Sequence, residues 1–173
     1  MVMRGMLLNK IVLEEYDSSR ARSFILERNR LASILRDIKY EITHINEGSV
    51  KFTLAEPVVD ICVALVDQFD LDFVRIALYN AGYSMVKRSS SYTQLIFYRL
   101  EGPYIMSRIY VCKMGSPEAK LFESFKKYLL ESYQHVNEFN TFMRKNFEKN
   151  KHNPELFRKN RIEFIKYLVR RNK

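Results

Sequence analysis

The chain has 173 residues, 47% hydrophobic and 13% aromatic, with five Gly and four Pro, a composition that excludes a disordered or low-complexity protein. Its net charge of +9 is localised: thirteen Lys and Arg balance thirteen Asp and Glu through Glu101, and sixteen stand against seven from Gly102 onward. That asymmetry permits phosphate-rich partners, and the lack of any bilayer-length apolar run or signal-peptide pattern excludes membrane insertion and secretion, so a cytoplasmic protein is expected.

In chain order, residues 10–14 read as a short strand, closed by the helix-start cluster Tyr16-Asp17-Ser18-Ser19. Phe24, Ile25, Leu31, Ala32 and Leu35 recur at helical spacing through about Arg36. Residues 38–45 alternate as a strand, and 57–66, almost wholly apolar and β-branched, predict a central strand covered on both faces. An amphipathic helix follows from about Asp72 to a C-cap at Gly82. Three further strand-like runs cover 83–88, 93–100 and 104–113, the last two joined in a hairpin by Glu101-Gly102-Pro103. Ser89-Ser90-Ser91 reads as a turn.

The remainder is helical. Ser116-Pro117-Glu118 starts one segment and Asn153-Pro154-Glu155 the last, each with Pro in the first turn and an acid near the positive end of the dipole. Between them Leu121, Phe122, Phe125, Leu129 and Tyr133 form one apolar stripe, and Phe139, Phe142, Met143 and Phe147 a second. Nothing divides the chain, so one α/β (α+β) domain over 1–173 is expected, with a sheet-containing part at about 10–113 and a helical layer at about 116–172. Cys62 and Cys112 lie in apolar strand-like runs and read as buried free thiols of a reducing compartment.

Several stretches in this order resemble the GrpB family. They are Tyr16-Asp17, His44-Ile45, Glu56-Pro57-Val58-Val59-Asp60-Ile61, Tyr98-Arg99 with Gly102-Pro103, and Gly115-Ser116 ahead of Phe125-Lys126-Lys127-Tyr128-Leu129. The resemblance implies a nucleotidyltransferase-like fold: a mixed sheet with flanking helices, a Gly-Ser turn holding phosphate on backbone N–H groups, and strand carboxylates binding divalent metal. Residues i and i+2 of a strand share a face, so two such carboxylates can converge on one Mg²⁺.

The chain departs from that pattern in three places. Asn46-Glu47 stand where the family has Gly-Ser, with Gly48-Ser49 two residues later as a re-registered substitute. Asp60 is followed at i+2 by Cys62 and at i+4 by Ala64, so the second acid is missing and Mg²⁺ has an incomplete ligand set. Arg108-Ile109-Tyr110-Val111 replaces a His-Leu-His-Val strand.

The resemblance and the residues together nominate Asp60 as the catalytic position, with His44, Gly48, Ser49, Arg99, Arg108 and Tyr110 as ligand-binding residues and no metal ligands. Each has a plainer alternative. His44 serves the site or is an ordinary strand-end His. Asp60 serves the site or is paired to an Arg, because an ionised carboxylate is costly to bury alone. Arg99 and Arg108 form an anion clamp on neighbouring strands or offset Asp60 and Glu47 structurally.

The expected function is binding of a nucleotide or other phosphorylated small molecule with weak or no catalysis. The alternatives are an active divergent nucleotidyltransferase, and a non-catalytic protein binding nucleic acid or an acidic partner through Arg144, Lys145, Arg158, Lys159 and Arg161. For those basic residues a solvated helix face is the plain alternative.

Overall fold

The computed structural model describes residues 5–87 and 93–172. A short first strand, β1 (Met6–Leu7), precedes helix α1 (Ser19–Ile34) and strand β2 (Tyr40–His44). β3 (Val59–Leu65), α2 (Leu71–Asn80) and β4 (Ser84–Met85) follow, and then the hairpin of β5 (Gln94–Glu101) and β6 (Tyr104–Lys113). Three helices complete the chain: α3 (Pro117–Glu131), α4 (Tyr133–Asn150) and α5 (Pro154–Arg171).

The sheet has the order β2-β3-β6-β5-β4, and β1 pairs with the start of β6 beyond the reach of β3. The pair β3–β6 is parallel and the other pairs are antiparallel. The sheet is therefore mixed, with the apolar β3 near its centre as its composition requires.

Alternation along β3 and β6 divides the molecule. Val59, Ile61, Val63, Leu65, Ile109 and Val111 face one way and pack against Leu31 of α1 and Val74 and Leu78 of α2. Asp60, Cys62, Arg108, Tyr110 and Cys112 face the other way, toward α3 and α5. Beyond them lies a second core in which Phe125, Phe139, Met143, Phe157 and Leu168 of α3–α5 enclose Val50 and Leu54 of the β2–β3 loop.

The caps explain several boundaries. Asp17 Oδ1 accepts from Ser19 N at 2.7 Å ahead of α1. Ser116 Oγ accepts from Ala119 N, and Asn153 Oδ1 from Leu156 N, each with Pro in the first helical turn. Gly102 turns the β5–β6 hairpin at φ +57°. Between α3 and α4 an extended Ser132 breaks the chain, and its hydroxyl accepts from His135 N.

The expected strand over 10–14 is not formed. Only Glu14 bridges, to Ala55, each N–H donating to the other's carbonyl, and Arg20 Nη2 binds the same two carbonyls and that of Glu15. The Ser89-Ser90-Ser91 turn lies outside the described residues. Among the described residues no helix is long and apolar enough to cross a membrane.

Candidate functional site: a buried ion-pair network beside a groove

On the C-terminal-helix face, Asp60 lies directly opposite Arg108 in the parallel β3–β6 ladder, and both are 4% exposed. Arg108 Nε donates to Asp60 Oδ1 at 2.5 Å and Nη2 to Oδ2 at 3.1 Å, while Nη1 donates to Glu56 Oε2 at 2.6 Å. Glu56 Oε1 accepts from Arg158 Nε at 3.1 Å. Asp60 Oδ2 also accepts from Asn46 Nδ2 at 3.0 Å and lies 3.6 Å from Arg161 Nη2. Arg161 in turn grips Glu47, with Nη2 2.9 Å from Oε2 and Nε 2.7 Å from Oε1.

Three carboxylates and three guanidiniums thus neutralise one another within the fold. At Glu56, Arg108 and Arg161 burial works against the charge, and the opposing charges outweigh it. The Arg108 pKa stands well above its ordinary value and the Glu56 carboxyl below its own, held there by Arg108, Arg158 and Arg161. Breaking one partner out of such a buried set typically costs about 3–5 kcal/mol, because the remaining charge is stranded.

The residues expected at one site divide between the two faces. Asp60, Arg108 and Tyr110 come together. His44 does not join them: its ring stacks on Phe24 of α1 at 4.8 Å, and burial pushes its pKa down to about 4. Arg99 is also on the α1 face, because it pairs in register with Ser107 whereas Arg108 pairs with Tyr98. There it lies 2.7 Å from the buried Glu27 of α1, which also accepts from Tyr83 and Ser107.

An Arg99–Arg108 clamp is therefore excluded by the pleat. Gly48 and Ser49 form a short 3₁₀ turn whose Ser49 hydroxyl donates to Asn46 O at 2.7 Å. Glu47, at the family's Gly-Ser position, directs its carboxylate at Arg161.

Beside the network a groove of about 450 Å³ opens between α3 and α5 over β5 and β6. Tyr110 and Ile96 line its floor, Leu121 and Phe122 one wall, Ile162 and Ile165 the other, and Asn46 and Arg161 its inner end. The Tyr110 and Phe122 rings lie 5.2 Å apart. Sequence reasoning missed this groove and the part Arg161 plays in it. A signal was present: Phe157, Arg161, Ile165 and Leu168 recur at helical spacing, which places Arg161 within the buried stripe of α5.

Two of the five residues considered for nucleic acid are thereby committed elsewhere. Arg161 is buried, and Arg158 binds Glu56 and the carbonyls of Leu8 and Lys10. The divalent metal that the resemblance implies does not fit either. Both Asp60 oxygens are engaged by Arg108, and Oδ2 also by Asn46. Among the described residues no three His, Cys, Asp or Glu side chains gather as a metal site. Cys62 and Cys112 are free buried thiols on the neighbouring strands β3 and β6, with sulfurs 3.7 Å apart.

A mixed sheet with helices on both faces, and an arginine-held aspartate under a C-terminal helical layer, define an α/β protein of a distinct kind. The model of the GrpB family, described as GrpB protein, matches residues 10–171, and the chain belongs to that family. The crystal structure of the conserved protein GrpB from Enterococcus faecalis superposes with a TM-score of 0.80 at 17% identity, covering 92% of this chain and 96% of that one.

Two structures of Cid1 also match. One is in complex with the UTP analogue UMPNPP (TM-score 0.47, 12% identity), and one, described as the Cid1 poly(U) polymerase, has MgGTP bound (0.49, 11%). This chain spans 43% and 44% of their lengths, with 79% of its own covered in each. No curated protein matches by sequence.

Proposed function

We propose that this chain binds a nucleotide or another phosphorylated small molecule in the groove between α3 and α5, without metal-dependent nucleotidyl transfer. The observation carrying this reading is the closure of Asp60 by Arg108 and Arg161. In metal-assisted phosphoryl or nucleotidyl transfer, carboxylates gather a cation that bridges phosphate oxygens and neutralises developing charge. Here the one carboxylate of β3 already has its cation, a guanidinium that is part of the chain, and Cys62 stands where a second carboxylate would be needed.

The groove beside the network supplies a concave, mostly apolar surface with a few polar groups, as small-molecule sites do. The proposed setting is the cytoplasm, where Cys62 and Cys112 remain thiols.

Thermal shift with a panel of nucleotides, with and without Mg²⁺, tests the reading. Ligand at a hundred times its Kd stabilises the folded chain by about 2.7 kcal/mol. The expected shift is the same with and without Mg²⁺, and no labelled nucleotide is transferred to any acceptor. A shift that needs Mg²⁺ and is lost in Asp60→Asn would instead make the chain an active transferase. No shift with any phosphorylated ligand would sink the reading.

A further inference from the structure

The groove does not end at its inner chamber. A second hollow of about 440 Å³ continues it outward between α3 and α5, and the two share Pro117, Leu121 and Lys166. The outer hollow is lined by Lys120, Lys166 and Arg170 and by no acid. Among the described residues Lys120 and Arg170 form no ion pair, and Lys166 meets only Glu163, which is exposed.

The inner end has the opposite character. Arg161 is matched by Glu47, and Arg108 and Arg158 by Asp60 and Glu56, so that end has no uncommitted positive charge. Glu118 adds a negative group to the inner lining. An anion entering the trough is therefore drawn to its outer end, where the cations are solvent-facing and available. The inner chamber suits a flat, apolar group. Tyr110 and Phe122 present rings there, and the Tyr110 hydroxyl makes no hydrogen bond among the described residues, so it is free for a ring nitrogen or amine.

We propose that the trough takes a nucleoside polyphosphate with its base in the inner chamber against Tyr110 and Phe122 and its phosphates on Lys120, Lys166 and Arg170, directed away from Asp60. This rests on the reading that the chain binds a nucleotide, and adds where the charge goes. The orientation leaves the phosphates far from the strand carboxylate, consistent with a bound nucleotide that is held and not transferred. Together the two hollows fall within the range of about 300–1,000 Å³ usual for small-ligand sites.

Titration calorimetry with ATP at 50 and 300 mM salt tests the orientation on the full chain, the double variant Lys120→Glu/Arg170→Glu and the single variant Tyr110→Leu. Lys120 and Arg170 are exposed, so the double variant folds, and circular dichroism confirms it. It is expected to weaken ATP binding at least tenfold and to flatten its salt dependence, because screening acts mainly on exposed charges. Tyr110→Leu is expected to weaken binding about tenfold with the salt dependence kept.

ATP affinity unchanged in the double variant would overturn the orientation while leaving nucleotide binding intact. An unaffected Tyr110→Leu would equally overturn the placement of the base. Failure of the unaltered chain to bind ATP or any other nucleotide would remove the underlying reading and this inference together.

Discussion

Replacing Arg108 by Met removes the centre of the ion-pair network while keeping a long, unbranched side chain. Arg108 donates to Asp60 twice and to Glu56 once, and both carboxylates are almost without solvent. After the substitution Glu56 retains Arg158, and Asp60 retains Asn46 with Arg161 at 3.6 Å. The full cost of breaking a buried pair is about 3–5 kcal/mol, and the surviving partners place this variant near the lower end, at about 3 kcal/mol.

That is a large share of the usual stability of about 5–15 kcal/mol. With a urea m-value of about 2 kcal/mol/M, the midpoint falls by about 1.5 M.

The effect depends on pH in a defined direction. The folded-state pKa of Glu56 is depressed, since the opposing guanidiniums overcome burial. The stabilisation this gives is present above the unfolded value of about 4.5 and is lost as pH falls through the folded value. Without Arg108 burial is less opposed, so Glu56 protonates more readily in the folded variant and the gap to the unaltered chain narrows in acid. Urea unfolding followed by circular dichroism at pH 7 and pH 4 measures both. A loss under about 1 kcal/mol at pH 7, or a gap that is the same at both pH values, would refute the reasoning.

Three other outcomes follow from the same structure. His44 has its pKa pushed down to about 4 by burial, so the folded chain disfavours the charged ring. Its stability is complete above about 6.5 and declines by up to about 3 kcal/mol toward pH 4, and His44→Phe, which keeps the stack on Phe24, should flatten that part of the stability–pH profile. Asn140 accepts from Leu54 N and donates to Phe52 O, holding Phe52 at φ +66°; Asn140→Ala strands these groups and should cost about 2 kcal/mol in urea unfolding. Cys62 and Cys112 are 3% and 0% exposed, so a thiol reagent should modify neither in the native chain and both after denaturation.

The sequence made the sheet legible where a local signal was strong. The β-branched run of β3 marked a strand covered on both faces, and Gly102-Pro103 marked the hairpin. Other features depended on distant partners. The first strand forms at Met6–Leu7, on the start of β6, and the 10–14 run makes one bridge, from Glu14 to Ala55 much further along, so its pairing depended on distant chain. Ser132 marked a helix start through its hydroxyl three residues before His135, a signal hidden between two apolar stripes.

At the candidate site, Asp60 carried the correct alternative, an arginine partner, because a buried carboxylate demands one. The assignment of Arg99 failed on parity: neighbours in a hairpin share a face only in register, and Arg99 lies opposite Ser107. The pairing of Glu47 with Arg161 crosses 114 residues of chain, and no local pattern announces it.

That long reach has a consequence for how the chain is made. Glu47 and Glu56 belong to the first third of the protein, yet Arg158 and Arg161 arrive on its last helix, and Arg158 also ties down the carbonyls of Leu8 and Lys10. During synthesis the sheet emerges from the ribosome with Glu47 lacking its arginine and Glu56 held by Arg108 without Arg158. The segment around them must stay hydrated until α5 has left the exit tunnel and docked. A product terminated before α5 would carry that defect permanently, leaving quality-control proteases a loosened loop to act upon.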